Sequence, residues 1–123
     1  PENPLYVKQT DVRAVQLAKA ALAAGVRLLT DYLECDTVEE ILLAGAFGTH
    51  LDARYVADIG IIPGATAQNV RSIGNAAGMG AAMALVNRAE KARIIAAVQH
   101  IEKVETATEP KFQDYFVNAM SFP

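Results

Sequence analysis

The sequence predicts an α/β fold in which a small sheet is flanked by helices. Two short apolar runs each lead into a glycine cluster, and a long segment before them has helical periodicity. Ile41–Ala44 precedes the first glycine cluster, Gly45–Gly48, and Asn69–Ile73 precedes the second glycine cluster, Gly74–Gly80. An apolar run followed by a glycine turn and a helix brings bare backbone close to a ligand in α/β proteins. The chain is therefore interpreted as one wall of a nucleotide-sized crevice.

Composition bounds the class of protein. The 123 residues are close to the size of one domain, and 52% of them are hydrophobic, so a core can form. Basic residues are scattered and the net charge is −3, which argues against a nucleic-acid partner. The sequence has neither an apolar stretch of transmembrane length nor a secretion signal. We expect a cytoplasmic protein with no membrane partner, and the start at Pro1 indicates a fragment of a longer chain.

A long amphipathic helix is predicted before the first apolar run. Its apolar residues recur at three- and four-residue steps, with Thr10 or Asp11 as the N-cap and an end near Tyr32 or Leu33. Gly25 in its interior costs about 1 kcal/mol relative to alanine, so a close contact is expected there. The alanines of this helix suggest close packing against a sheet or another helix.

Local patterns predict five further elements. They are a short helix over Leu51–Ala57, a helix over Ala76–Val86, an amphipathic helix over Arg88–Val104, a strand over Glu105–Glu109 and a final helix starting at Pro110. Thr49 or Asp52 is expected to cap the short helix. The helix over Ala76–Val86 is so uniformly small and apolar that it is predicted to be buried on nearly all sides. Residues 1–123 are therefore predicted to form one compact unit.

The glycine clusters carry the main chemical signal. The first is neither the dinucleotide fingerprint nor a P-loop, because the required glycines, lysine and hydroxyl residue are absent. The second opens a helix, whose N-terminal N–H groups attract phosphate oxygens. Two such turns in one small domain favour nucleotide binding. The alternative is a plain α/β domain in which both turns are structural.

Other polar residues are explained without catalysis. His50 is better explained as a capping or supporting residue, His100 as solvated, and Asp52 and Asp58 by capping and a solvated surface. Cys35 is expected to be a partly buried small hydrophobe near a helix end. The sequence contains no catalytic triad order, no zinc-binding histidine motif and no acidic phosphate loop for Mg²⁺. We therefore assign no catalytic residue and no metal ligand, and expect the chain alone to be a poor ATPase.

Several stretches resemble a known family. Leu42–Gly48 looks like the adenosine motif of the sugar kinase, heat-shock chaperone and actin superfamily, and Ile73–Ala82 resembles its second connecting helix. Nearly the whole chain is similar to the C-terminal end of the reductive activators of corrinoid proteins. The further matching pieces are Asp11–Ala21, Gly60–Pro63 and the ending Phe112–Pro123. The combination is specific, although no single piece is.

The resemblance implies a ribonuclease H-like lobe within a larger multidomain protein. In this family the parent carries an N-terminal [2Fe–2S] ferredoxin domain and a C-terminal ATPase region. It uses ATP to drive electron transfer to Co(II) corrinoid, restoring the Co(I) form that methyltransferases need. The cluster would lie outside this chain, which has one cysteine, and Mg²⁺ would be held mainly by other segments. The implied partners are a corrinoid iron–sulfur or corrinoid methyltransferase protein and the parent's N-terminal segments.

The resemblance also implies site residues. The residues that would lie beside adenine and ribose are Gly45, Ala46, Phe47 and Gly48. The residues that would shape the crevice wall behind them are Gly74, Asn75 and Gly78. One alternative is a non-catalytic module that docks a corrinoid protein or a sister subunit, and another is a small-molecule kinase of the same superfamily. An apolar face left uncovered by truncation could also promote a homodimer.

Overall fold

The computed structural model describes residues 4–45, 48, 50–106 and 108–123. The elements in chain order are α1 (Gln9–Tyr32), β1 (Ile41–Ala44), α2 (Ala53–Asp58), β2 (Val70–Gly74), α3 (Ala76–Val86), α4 (Arg88–Val98) and α5 (Pro110–Asn118). The strands form a two-stranded parallel sheet that is flanked by helices. The predicted fold class is therefore confirmed. None of the helices in these ranges is long and apolar enough to cross a membrane.

The two strands pair in parallel, so both end at the same edge of the sheet. Ile41 lies opposite Val70, and beyond a register shift after Leu43 the pairing resumes with Ala44 opposite Gly74. Each strand leads directly into one of the two glycine clusters. The pairing therefore brings the starts of the two clusters together at the carboxyl edge, as the strand–turn pattern predicts.

A small core covers one part of this sheet. Its buried residues are Ile41 and Val70, which lie opposite each other, and Val56 of α2, which is fully buried. The partly buried residues around them are Val38, Leu43, Leu51, Ala53, Ile61, Ile62 and Ala65. Because Val56 contributes the largest fully buried side chain, α2 is held against the strands that carry the glycine clusters.

The long helix α1 packs against α5. The apolar side chains that α1 buries are Ala20, Ala23, Ala24 and Leu28. Their small size permits the close helix packing that the alanine-rich sequence suggests. In α5, Phe112 and Phe116 stack with their ring centroids 6.3 Å apart. Pro110 occupies the first turn of α5, as predicted.

Two details predicted for α1 are wrong. The helix begins at Gln9 with Lys8 as its N-cap, whereas the predicted cap, Thr10 or Asp11, lies inside its first turn. The reason is that the carboxylate of Asp11 accepts a hydrogen bond of 2.9 Å from the backbone amide of Lys8, so it stabilises the first turn from inside the helix. The close contact expected at Gly25 is also absent, since a Cβ there would meet no described atom within 4 Å.

The region after α4 differs from the prediction. The helix ends at Val98 rather than Val104, and the described part of 105–109 is not a strand. The amide and the hydroxyl of Thr108 both donate hydrogen bonds of 3.1 Å to the carbonyl oxygen of Glu105. The alternating threonines therefore form a turn, because a threonine side chain can bond to a nearby backbone carbonyl.

The prediction that α3 is buried on nearly all sides is wrong among the described residues. None of its residues is buried, and Leu85 and Val86 are 87% and 82% exposed. The helix packs against α4, which is itself largely exposed. Composition alone indicated that α3 is suited to burial, but the small core around Val56 does not extend to it.

Candidate functional site

The two glycine clusters meet at the carboxyl edge of the sheet. The amide nitrogen of Gly45 donates a hydrogen bond of 2.8 Å to the carbonyl oxygen of Gly74. Both residues have positive φ angles, +96° and +66°, which other L-residues adopt at a cost. A Cβ on either residue would meet no described atom within 4 Å. The structure therefore places two glycine bends side by side at this edge.

Gly48 of the first cluster has a packing role. It is buried, and a Cβ there would lie 3.1 Å from the carbonyl carbon, the oxygen and the Cβ of Leu43. The missing side chain therefore lets Gly48 lie close to β1. The predicted site residues Ala46 and Phe47 lie outside the described residues, so their place beside an adenosine stays a prediction. His50 is exposed.

The second cluster is built around the start of α3. Asn75 is the N-cap, and its side-chain oxygen accepts a hydrogen bond of 3.0 Å from the amide of Gly78. A Cβ on Gly78 would lie 2.6 Å from the Asn75 Nδ2 atom, so a glycine is suited to this cap. The three residues predicted in this cluster therefore form one capped helix start next to Gly45.

Sequence reasoning missed Ser72 in this region. Its hydroxyl oxygen accepts a hydrogen bond of 3.4 Å from the amide of Gly74, which helps to hold the second bend. A serine two residues before a turn glycine is a known turn signal, because hydroxyl groups bond to backbone groups nearby. That spacing could have identified Ser72.

Asp52 caps α2, as predicted. Its carboxylate accepts hydrogen bonds from Arg54, at 2.9 Å from the backbone amide and 2.8 Å from Nη2. The side-chain bonds from Arg54 lower the pKa of Asp52 to about 2 and raise the pKa of Arg54. The carboxylate is therefore already engaged by a cation and a helix end, which explains it without catalysis.

The metal-ligating side chain types are scattered over the part of the chain that the structure describes. Over the described ranges, no group of three or more His, Cys, Asp and Glu side chains is placed to hold a metal. Cys35 is exposed rather than partly buried as expected, and its thiol donates a hydrogen bond of 2.9 Å to the Thr37 carbonyl oxygen. His100 is solvated, as predicted.

A separate cleft of about 530 Å³ lies between the end of α1 and Pro63–Gly64. Its charged lining includes Asp31, which accepts a hydrogen bond from the Tyr115 hydroxyl and lies 3.6 Å from Lys111 Nζ. The Tyr115 hydrogen bond is the main cause of a lowered pKa at Asp31, and it raises the pKa of Tyr115. The carboxylate of Asp31 is therefore already engaged by Tyr115 and Lys111. The cleft contains none of the predicted site residues.

The fold and this edge can be compared with known proteins. The family model described as the C-terminal domain of RACo, the ASKHA domain, matches residues 1–123. The chain belongs to this family. The membership confirms the resemblance to the C-terminal end of the corrinoid activators and to the actin-like superfamily.

Two relatives of this RACo C-terminal domain extend the comparison. The corrinoid activation enzyme RamQ of Eubacterium limosum is 43% identical over 127 residues, which cover 97% of this chain and 21% of RamQ. The solved structure of a reductive activator for corrinoid, iron-sulfur protein is similar with a TM-score of 0.84 at 27% identity, covering 95% of this chain and 19% of that one. The chain thus spans about a fifth of the length of either protein.

Proposed function

We propose that the chain is the adenosine-side nucleotide-binding lobe of an ATP-dependent reductive activator of corrinoid proteins. The activator would reduce Co(II) to Co(I) corrinoid for methyltransferases, with a corrinoid protein as its partner. The observation that carries the proposal is the 2.8 Å hydrogen bond between Gly45 and Gly74. It joins two glycine bends at one sheet edge, in a family whose matched relatives are named as corrinoid activators.

The chemistry of this edge suits a nucleoside. Because neither Gly45 nor Gly74 has a side chain, and a Cβ on either would meet no described atom within 4 Å, a flat base or a ribose could approach their peptide planes. The start of α3 lies directly beyond Gly74, and the positive end of its helix dipole favours a negatively charged ligand. A ligand carrying both an apolar ring and phosphates, such as ATP, matches this combination.

The proposed division of labour follows from the side chains available. Over the described residues no group of three or more His, Cys, Asp and Glu side chains could hold a metal ion, and one cysteine cannot hold a [2Fe–2S] cluster. Phosphoryl transfer and electron transfer would therefore depend on other segments of a longer protein. ATP supplies the free energy for lobe closure, and this chain's backbone contacts would add affinity only in the closed state.

A direct glycine substitution is a poor test of this proposal. Gly45 and Gly74 have positive φ angles, and a Cβ on Gly48 would lie 3.1 Å from the Leu43 backbone. A valine at any of these positions would change the fold together with ligand binding. A substitution that keeps the local hydrogen bonds is needed instead.

Asn75→Asp meets that requirement. Aspartate caps helices as well as asparagine does, so the bond to Gly78 is retained while a negative charge is added beside the proposed phosphate side of the crevice. We expect ATP binding by the intact protein to weaken by about tenfold through charge repulsion. The matched control is Asn87→Asp, which makes the same change at the N-cap of α4, where Asn87 accepts bonds from Ala89 and Glu90.

Isothermal titration calorimetry of the intact protein with ATP decides the matter. A weaker Kd for Asn75→Asp alone supports the proposal. Equal Kd values for the wild type and both variants would contradict it. If the wild-type protein binds a corrinoid protein but no nucleotide, the non-catalytic docking module is the better description. The exposed apolar side chains of α3 and α4 favour that second candidate.

A further inference from the structure

Lys19 on α1 is a buried cation with an unusual set of partners. Lys19 is only 4% exposed, and no other charged side chain among the described residues is buried. Its Nζ atom donates a hydrogen bond of 2.5 Å to the carbonyl oxygen of Ser121 and lies 5.3 Å from the centroid of the Phe122 ring. One lysine therefore binds two consecutive residues that follow α5.

This arrangement is specific because burying an ammonium group is costly. The cost is reduced only where the charge finds hydrogen-bond acceptors or an aromatic face. Here a backbone carbonyl and a ring do so, and both belong to the segment Ser121–Pro123. An apolar side chain could fill the same space but could not hold that carbonyl. The segment also closes the stretch Phe112–Pro123, one of the pieces that resemble the family, and nucleotide binding does not explain it.

Gly60, two residues beyond the end of α2, lies beside the same lysine and the same segment. Gly60 follows α2 with φ +65°, and a Cβ on it would lie 3.2 Å from Pro123 Cγ and 3.6 Å from Lys19 Nζ. The amide of Gly60 donates a 3.0 Å hydrogen bond to the Ala57 carbonyl oxygen and so stays attached to the helix. Three segments that are distant in sequence therefore meet at Lys19: α1, the end of α2 and Ser121–Pro123.

The position of α2 matters for the candidate site. Val56 of α2 is fully buried against Ile41 and Val70, the opposed residues of the two strands. Those strands carry Gly45 and Gly74 at their ends. A contact that fixes the end of α2 against α1 and α5 therefore also fixes the glycine-bearing sheet edge relative to that helix pair.

We propose that Lys19 and Ser121–Pro123 form a latch that positions the glycine-bearing edge for its ligand. Lys19 is then a positioning residue that acts through the end of α2 rather than by touching the ligand. The ligand-related part of this inference rests on the proposed nucleotide-binding function. The mechanical part, that the latch holds α2, stands independently of it.

Lys19→Met in the intact protein tests the latch. Methionine keeps an apolar stem of similar length but has no charge and no N–H donor. We expect hydrogen–deuterium exchange to become about tenfold faster over residues 53–61 and 119–123, as loss of one charge-assisted hydrogen bond predicts. Exchange over residues 76–98, in α3 and α4, should not change. The matched control is Lys91→Met, the same substitution at an exposed position of α4.

A second variant guards against misfolding. Phe122→Leu removes the aromatic face but keeps an apolar side chain, so it should speed exchange in the same two regions by a smaller factor. Unchanged exchange over residues 53–61 in both variants would overturn the latch. A uniform increase that includes residues 76–98 would also overturn it, because it would indicate general destabilisation.

The ligand readout separates this inference from the proposed function. If the wild-type protein binds ATP, Lys19→Met should weaken its Kd several-fold, and an unchanged Kd with faster exchange would overturn the positioning role. If the wild-type protein binds no ATP, the proposed function fails. The exchange pattern then still decides whether the latch holds α2.

Discussion

The side chain of Asn75 and the missing side chain of Gly78 are matched to each other. The Asn75 oxygen accepts the Gly78 amide at 3.0 Å, while a Cβ on Gly78 would lie 2.6 Å from the Asn75 nitrogen. The cap of α3 in this rotamer therefore depends on a glycine three residues later. This relationship distinguishes Gly78 from Gly80 in the same helix, where a Cβ would meet nothing within 4 Å.

The first prediction uses that difference. Gly80→Ala should stabilise the chain by about 1 kcal/mol, because alanine is the better helix former and space is available. Gly78→Ala should give no such gain, because the methyl group displaces a cap that contributes about 1 kcal/mol. Urea unfolding followed by circular dichroism measures both variants. Equal stabilisation by the two alanines would show that the cap moves aside without cost.

The second prediction concerns the small core. Val56→Ala should lower the free energy of unfolding by about 2 kcal/mol, because two buried methyl groups are lost and a cavity remains. Val86→Ala, at a position that is 82% exposed, should change the unfolding of this chain by less than about 0.5 kcal/mol. Denaturant unfolding of the two variants makes the comparison. A similar loss for both would mean that Val56 is not the centre of the core.

The third prediction is the titration of Asp52. Arg54 holds the pKa of this carboxyl at about 2, below its ordinary value of 3.8. Arg54→Gln should return the pKa towards 3.8, and Arg71→Gln, which removes a cation paired with Glu40 instead, should not. Because the pKa is depressed in the folded state, the stabilisation from this pair is fully present above pH 3.8. It is lost as the pH falls through about 2.

Carbon-detected NMR titration of the aspartate side chains measures these values directly. The same result in both variants would show that net charge, rather than the Arg54 hydrogen bonds, sets the pKa of Asp52.

The fourth prediction concerns Tyr115 and Asp31, which join α5 to the end of α1. The hydrogen bond between them raises the pKa of Tyr115 above 10.0 and lowers the pKa of Asp31. Tyr115→Phe should therefore raise the pKa of Asp31 and remove one late step from the ultraviolet titration of the tyrosines. Tyr32 also has a raised pKa, through Glu102, and its step should remain.

The direction of the alkaline effect follows from linkage. A tyrosine whose pKa is raised by folding stabilises the chain at pH values below 10, and that contribution is lost as the pH rises through the folded pKa. Tyr55→Phe, at an exposed position, is the matched control and should leave the pKa of Asp31 unchanged. A raised pKa of Asp31 in that control would show that the Tyr115 hydrogen bond is not the main cause of the lowered pKa.

The elements predicted correctly are those with a strong local signal. The bounds of β1 match the apolar run Ile41–Ala44, and α3 begins after Asn75 because a capping side chain precedes a helix-forming run. The errors arise where several local signals compete or where the partner is distant. The threonines of 105–109 suit both a strand and a turn, and hydrophobicity alone cannot tell what covers α3.

The candidate site shows the same division. The strand–turn pattern predicted that both glycine clusters belong to one crevice, and the hydrogen bond between Gly45 and Gly74 brings the starts of the two clusters together. The pattern could not predict that Gly48 packs on the Leu43 backbone, or that Gly78 makes room for Asn75. Those roles depend on distances of a few ångströms, which spacing along the sequence does not determine. The latch at Lys19 was missed for the same reason, since Ser121 lies far away in the chain.

The hydrogen bond from the Gly45 amide to the Gly74 carbonyl also makes the Gly45 amide proton a reporter of the contact between the two bends. This N–H can exchange with solvent only when the last rung between β1 and β2 opens. In deuterated water the NMR signal of this proton would therefore be lost at the rate at which the two bends separate, so it reports on this edge of the sheet. A ligand that strengthens or weakens this hydrogen bond should change the exchange rate of the Gly45 amide before a change in the helices is detected.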